Sequence, residues 1–128
     1  MTGGLTYDSG ALIAAERGRR RMWLIHGRAL ARGVRPVVPA GVLAEVYRSA
    51  RQVNLARLLG TCRIEPLDED KARRAGALLA SCPVSPAAVD ASVAEGALRR
   101  GDAVVTGNPD HIRALAGGAG RRLAVIPV

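Results

Sequence analysis

The chain has 128 residues, which suits one domain that folds without disulfides or a structural metal. It contains two Tyr, one Trp and no Phe, which argues against a nucleic-acid module that stacks bases on rows of aromatic side chains. The net charge of +8 arises within residues 1–63, where eleven Arg face three acidic residues, and it suits a polyanion, an acidic partner or simply a solvated basic surface.

The first half of the chain alternates short apolar runs, typical of buried strands, with amphipathic segments, typical of helices. Ser9 is predicted to cap the first helix, and Gly18, Gly33 and Gly60 are predicted to end helices. The predicted order is strand 5–7, helix 11–16, helix 19–32, strand 35–38, a helix that starts at residue 39 and contains 42–47, helix 52–59 and strand 62–67.

The second half continues the alternation, with Asp68 as the predicted cap of its first helix and Gly101 as the end of its longest one. The predicted order is helix 69–80, a turn over 81–86, helix 87–100, strand 103–106, a short helix over 109–115, a flexible link that contains Gly117, Gly118 and Gly120, and strand 123–128.

Strands that alternate with helices predict an α/β fold: a mostly parallel sheet with helices on both faces. No Pro/Gly/Ser-rich linker divides the chain, so residues 1–128 are predicted to form a single domain. Functional sites in such sheets lie beyond the carboxyl ends of the strands. Asp8 and Asn108 each follow a predicted strand and are therefore expected at that edge.

Three carboxylates stand in apolar surroundings: Asp8 after a buried strand, and Glu45 and Asp90 in apolar helical segments. Carboxylates near a core repel one another unless a cation neutralises them, and a hard divalent ion such as Mg²⁺, with Mn²⁺ as a possible substitute, would do so. The plainer alternative is that Asp8 is a helix cap and that Glu45 and Asp90 lie on solvated helix faces.

The sequence offers few signs of other sites or compartments. It has no apolar stretch long enough to span a membrane and no secretory signal pattern, and Cys62 and Cys82 are expected to be reduced thiols, so a cytoplasmic location is predicted. His26 is expected at the surface or in packing. P-loop, dinucleotide-binding and GxSxG motifs are missing, and a phosphatase with a second Asp two residues after Asp8 is disfavoured because Gly10 stands there.

Four segments in order resemble the successive motifs of PIN domains, including the VapC-type toxins of bacterial toxin–antitoxin pairs. They are residues 5–13, residues 38–46, residues 89–91 and residues 101–110, and together they cover nearly the whole chain. The resemblance implies a three-layer α/β/α sandwich with a four- to five-stranded parallel sheet, and a metal-dependent endoribonuclease activity.

The resemblance carries three of the family's four acidic positions onto Asp8, Glu45 and Asp90. The fourth is Asn108 here, an amide that can ligate Mg²⁺ but brings no negative charge. Three possibilities follow: a nuclease with one firmly bound metal, an enzyme in which Asp110 supplies the missing acid, or a weakened toxin. A PIN-like protein that binds RNA or a partner without cleaving is the alternative function.

The expected roles follow from the resemblance and from metal chemistry. Asp8 and Asp90 are expected to bind one or two metal ions, and Glu45 to bind metal or to orient the attacking water. Ser9 and Asn108 are expected to be auxiliary groups, and Thr106 to shape the strand end. His111 stands where relatives often have a further Asp, and Gly10 where a Ser is frequent.

Substrate RNA is expected to bind through the arginines of the turn after the first helix, Arg17, Arg19, Arg20 and Arg21, because the guanidinium fork suits phosphate. Trp23 is expected either to pack between helices or to stack on a base. By analogy with the family, a cognate antitoxin and a homodimer are also expected.

Overall fold

A computed structural model describes residues 3–84 and 86–128. Its elements are β1 (Leu5–Tyr7), α1 (Ser9–Glu16), α2 (Arg20–Ala31), β2 (Val37–Pro39), α3 (Ala40–Val46), α4 (Val53–Leu59), β3 (Arg63–Glu65), α5 (Glu69–Ala80), α6 (Ala88–Arg100), β4 (Ala103–Thr106), α7 (Pro109–Gly118) and β5 (Val125–Pro127). The predicted order of strands and helices is confirmed, with small shifts at element ends. Part of the predicted turn over 81–86, at Ser85, lies outside the described residues.

Two local predictions are wrong. Asp8, rather than Ser9, is the N-cap of α1: its backbone is extended and its carboxylate accepts a hydrogen bond from the Ala11 amide at 3.0 Å. Gly117 and Gly118 belong to α7 and form no link. A side chain at Gly118 would overlap the carbonyl of Ser81, so this glycine allows the end of α7 to approach the chain closely.

The sheet is parallel and has five strands in the order β3-β2-β1-β4-β5. Thr6 of β1 pairs with Val37 on one side and with Val104 on the other. β1 is therefore the central strand, and the chain later adds strands to both of its sides. The carboxyl end of β1 is the point where the strand order reverses, which is where sheets of this type form their ligand crevice.

Helices cover both faces of the sheet. On one face α1 packs with α2 and α4, and on the other face α6 packs with α5 and α7. The main core includes Tyr7, Leu12 and Val105, all fully buried. The predicted three-layer α/β/α sandwich is confirmed. None of the helices in the two described ranges is long and apolar enough to cross a membrane.

A cluster of buried charges holds the carboxyl end of α6 against the sheet. The Arg100 guanidinium donates to Asp102 at 2.9 Å and to Glu65 at 2.6 Å. The Thr6 hydroxyl in β1 donates to the same Asp102 carboxylate at 2.8 Å. Both acids are nearly buried, and arginines offset the cost of their burial: Arg100 pairs with Asp102, and Arg99, at 2.6 Å, shares Glu65 with Arg100.

Candidate active site

Asp8 lies at the carboxyl end of β1, where the strand order reverses, and is only 5% exposed. Its Oδ1 accepts hydrogen bonds from the Ala11 amide at 3.0 Å and from the Gly107 amide at 3.4 Å, which fix the carboxylate between α1 and the end of β4. Burial raises the pKa of Asp8 above its usual range, and hydrogen bonds from Thr106 and these two amides only partly offset that rise.

Asp90 lies in the first turn of α6, and its charge further raises the pKa of Asp8. Its Oδ2 accepts from the Ala87 amide at 3.3 Å, and this contact fixes the start of the helix. The side chain keeps 28% of its exposure, so Asp90 is open to a ligand. The structure therefore brings two of the predicted acids, Asp8 and Asp90, into electrostatic contact at one edge of the sheet.

Glu45 lies in the last turn of α3 and is exposed, as the solvated-face alternative has it. Its carboxylate accepts a hydrogen bond from the hydroxyl of Ser9, the residue next to Asp8. Ser9 therefore contacts a predicted acid, although it does not cap α1. This contact places the Glu45 carboxylate against the residue that follows Asp8 in the chain.

Asn108 and His111 form a hydrogen-bonded pair beside Asp90. The Asn108 amide Nδ2 lies 2.9 Å from His111 Nδ1, and His111 Nδ1 lies 3.8 Å from Asp90 Oδ2. The buried Thr106 hydroxyl accepts from the Asn108 backbone amide at 2.8 Å, so it shapes the turn after β4 as expected. The histidine contact was not predicted, although its position three residues after Asn108 places both side chains on one face of α7.

Asp110 points away from this arrangement. Its side chain is 93% exposed, and its carboxylate lies 3.8 Å from Arg113, one helical turn further along α7. Nothing in this geometry gives Asp110 the role of the missing acid.

Two glycines allow the Asp8 region to close. A Cβ at Gly10 would lie 2.7 Å from the Cα and amide nitrogen of Gly107 and 3.3 Å from Asp8 Oδ1. The start of α1 and the end of β4 therefore touch through glycine backbone. A serine at position 10 would not fit this packing.

A hard divalent cation matches the donor chemistry of the site, since its candidate ligands are carboxylate and amide oxygens. Within residues 3–84 and 86–128, no three His, Cys, Asp or Glu side chains stand close enough together to hold a metal ion. The types of donor atom therefore suit a divalent cation. Asp8 and Asp90 are the two candidate carboxylate ligands near each other, and Glu45 would have to rotate to become a third.

The predicted RNA-binding arginines divide into two groups. Arg17, Arg19 and Arg21 line a cavity of about 380 Å³ beside Gly10 and Gly107. Arg20 is exposed but does not line this cavity. Three of the four predicted arginines are therefore near the acid site.

Trp23 and His26 are packing residues. The Trp23 indole donates to the Ala15 carbonyl at 3.0 Å, and the Arg57 guanidinium covers its ring at 5.1 Å. Buried His26 lies 2.8 Å from the Tyr7 hydroxyl and 2.7 Å from that of Thr61, and burial lowers the pKa of its imidazole. Of the two alternatives for Trp23, packing between helices is the one observed.

No protein-family model and no curated protein sequence matches this chain. Solved structures do match it. VapBC2 from Rickettsia felis, bound to a DNA fragment from its promoter, is similar over 96% of this chain and 97% of the matched chain, with a TM-score of 0.72 and 16% identity. A toxin–antitoxin complex from Klebsiella pneumoniae covers 96% of each chain at a TM-score of 0.68 and 21% identity.

DNA-bound VapBC from Salmonella typhimurium is similar over 98% of each chain, with a TM-score of 0.69 and 19% identity. The similarity spans whole chains in all three structures, so it concerns the complete fold and no isolated motif. The chain therefore has the fold found in these VapBC and toxin–antitoxin complexes, and the resemblance that its motifs predict is confirmed at the level of the fold.

Proposed function

We propose that this protein is a Mg²⁺-dependent endoribonuclease of the VapC type that cleaves RNA phosphodiester bonds. The observation that supports this most is the buried Asp8 carboxylate at the strand-order reversal, opposed by the nearby charge of Asp90. Two carboxylates held together in this way favour a cation between them. The fold similarity to VapBC complexes supports the same activity class.

Asp8 and Asp90 would hold the cation, with Mn²⁺ as a possible substitute for Mg²⁺. When bound, the metal supplies positive charge that eases proton loss from water and offsets charge on the phosphate. The Oδ1 atom of Asp8 is fixed by the Ala11 and Gly107 amides, and Oδ2 would be the oxygen that binds the cation. Glu45, after leaving Ser9, would orient the attacking water and take its proton.

Asn108 lowers the negative charge of this site by one unit relative to the family pattern. Its side chain is engaged by His111, which itself lies near Asp90. We expect weaker binding of a metal, and above all of a second one, without loss of the ligand geometry at Asp8 and Asp90. Asp110 is not among the proposed ligands because its side chain faces solvent and Arg113.

An antitoxin is the proposed protein partner, supported by structural neighbours that are themselves toxin–antitoxin complexes. The basic cavity lined by Arg17, Arg19 and Arg21 would suit an acidic segment of that partner as well as RNA. A homodimer remains a proposal that rests on the resemblance, and a cytoplasmic location remains one that rests on the sequence pattern.

The test is cleavage of a labelled RNA by purified protein in Mg²⁺, with EDTA as the metal-free reference. We expect Asp8→Asn and Asp90→Asn each to lower the rate by about 100-fold or more. Asp70→Asn makes the same chemical change at an exposed position in α5 and should cut like the wild type. Cleavage that survives EDTA or both site substitutions would contradict the proposed site.

A second candidate function is RNA or partner binding without cleavage. The neutral Asn108 and the lack of three assembled ligands among the described residues favour it. RNA binding that depends steeply on salt, with no cleavage at any Mg²⁺ concentration, would identify the protein as this binding module.

A further inference from the structure

Two cavities adjoin α1, and both are lined by exposed Ile13 of α1 and by exposed Arg17, the residue that follows the helix. The first, here called the α3 groove, has a volume of about 250 Å³ and includes Glu45, Arg48 and Gln52 in its lining. The second is the 380 Å³ cavity beside Gly10 and Gly107, here called the β5 groove. The exposed face of α1 forms the ridge between the two grooves.

Each groove borders a different part of the acid site. Glu45, a proposed site carboxylate, lines the α3 groove and contacts Ser9 at the start of α1. Gly10 and Gly107 line the β5 groove, and the Gly107 amide donates to Asp8. A ligand that lay in both grooves would therefore cross α1 directly beside the proposed catalytic carboxylates.

Arg48 in the α3 groove is held in place before any ligand binds. Its Nη1 donates to the carbonyls of Tyr47 at 2.8 Å and Ala44 at 3.3 Å, so the guanidinium lies against the end of α3. The Gln52 side chain accepts from the Arg48 amide at 2.7 Å and donates to the Val46 carbonyl at 2.9 Å. A fixed guanidinium loses little side-chain freedom when it binds a phosphate.

The lining of the α3 groove contains two arginines, Arg17 and Arg48, and two acids, Glu16 and Glu45. Neither Arg17 nor Arg48 forms an ion pair with an acid in the described parts of the chain. The two acids have other partners: Glu16 accepts from the Leu55 amide at 2.9 Å, and Glu45 accepts from the Ser9 hydroxyl. Both guanidinium groups are therefore without an acidic partner and can bind a phosphate.

We propose that a single strand of RNA crosses α1 from the α3 groove to the β5 groove, and that Arg48 and Arg17 hold a phosphate next to the one that is cut. Arg19 and Arg21 hold the strand on the other side, in the β5 groove. A flexible single strand can follow these two small grooves, of about 250 and 380 Å³, across α1 more closely than a rigid duplex can. This inference rests on the proposed ribonuclease function and names Arg48 as its positioning residue.

The test compares Arg48→Gln with Arg122→Gln, which removes the same charge at the opposite edge of the sheet. Arg122 is exposed and lines a separate cavity with Gly4 and Ala103, at the amino ends of β1 and β4. The probe is a labelled single-stranded RNA, whose binding is measured in EDTA at several salt concentrations and whose cleavage is measured in Mg²⁺. Thermal melting of each variant confirms that it is folded.

We expect Arg48→Gln to weaken RNA binding about tenfold and to raise KM by a similar factor while kcat changes little. The slope of log affinity against log salt should fall by about 0.7, the value for one lost contact to a single strand. Arg48→Lys keeps the charge and should restore the slope and part of the affinity, a rescue that a purely structural role would not show. Arg122→Gln should match the wild type.

The same RNA annealed to its complement should be cut at least tenfold more slowly. Equal cleavage of duplex and single strand would overturn the proposed path, and so would an Arg48→Gln protein that matches Arg122→Gln in affinity, salt slope and KM. If the wild type cuts single-stranded RNA but shows either result, this inference fails and the ribonuclease function stands. If the wild type neither binds nor cuts RNA, both fail.

Discussion

Removing the charge of Asp8 without changing its shape should abolish activity and stabilise the metal-free protein. Asp8→Asn keeps an oxygen that can accept from the Ala11 and Gly107 amides, and Asn is as good an N-cap as Asp. It removes a negative charge from a side chain that is only 5% exposed and that is repelled by the charge of Asp90. A stabilised Asp8→Asn protein would show that the acid at position 8 serves catalysis and does not increase stability.

The comparison with Asp8→Ala sets the magnitude. Alanine leaves the Ala11 amide without its cap and the Gly107 amide without its acceptor, and a lost cap costs about 1 kcal/mol. With the Gly107 contact included, Asp8→Ala should be less stable than Asp8→Asn by about 1–2 kcal/mol. For a domain of this length, that difference corresponds to roughly 3–8 °C in melting temperature.

The pH dependence follows from the direction of the pKa shift. Burial raises the pKa of Asp8 above its usual range, so the folded state binds a proton more tightly than the unfolded state. This contribution to stability is fully present below the unfolded pKa of about 4 and is lost as pH rises through the folded pKa. The gain in stability of Asp8→Asn over the wild type should therefore be largest at neutral pH and smallest near pH 4.

Thermal melts in EDTA from pH 4 to pH 8 measure this difference. Addition of Mg²⁺ should then raise the melting temperature of the wild type more than that of Asp8→Asn, because only the wild type keeps a charged ligand at position 8. The reasoning is refuted if Asp8→Asn is as destabilised as Asp8→Ala, or if its difference from the wild type does not change with pH.

Three further substitutions test neighbouring parts of the account. Asn108→Asp should tighten Mg²⁺ binding about tenfold in a calorimetric titration, by adding one negative charge, and an unchanged affinity would place Asn108 outside the site. Arg100→Met should lower the free energy of unfolding in urea by about 3–5 kcal/mol because buried Asp102 loses its cation, and a loss under about 1 kcal/mol would contradict that role. Gly10→Ala should cost about 1–3 kcal/mol since its Cβ would lie 2.7 Å from Gly107 backbone atoms, and wild-type stability would contradict that close packing.

The fold was predictable because its determinants are local. Apolar strand runs, the Asp68 cap and the Gly101 helix end are all read from neighbouring residues, and each of them is confirmed. The alternation of strands and helices then restricts the sheet to a parallel one. The wrong cap prediction arose because Asp8 and Ser9 are adjacent and both residue types are good N-caps. The extended backbone at Asp8 makes it the cap.

The site was predictable only in part, because side-chain contacts depend on tertiary packing. The placement of Asp8 follows from its strand end, and an exposed Glu45 was one of two alternatives, yet nothing near Glu45 in sequence reveals its hydrogen bond with Ser9. The contact of His111 with Asp90 joins α7 to α6, and the groove position of Arg48 depends on how α3 lies beside α1. Local sequence patterns do not predict such contacts between different elements.

The chemical ends of the RNA products test the central claim most directly. Attack by water, as proposed for this acid site, leaves linear phosphate and hydroxyl ends, whereas attack by the RNA's own 2′-hydroxyl leaves a 2′,3′-cyclic phosphate. The account predicts linear ends that form only with Mg²⁺ and are lost in Asp90→Asn but kept in Asp70→Asn. Cyclic phosphate ends, or linear ends from Asp90→Asn at the wild-type rate, would contradict it.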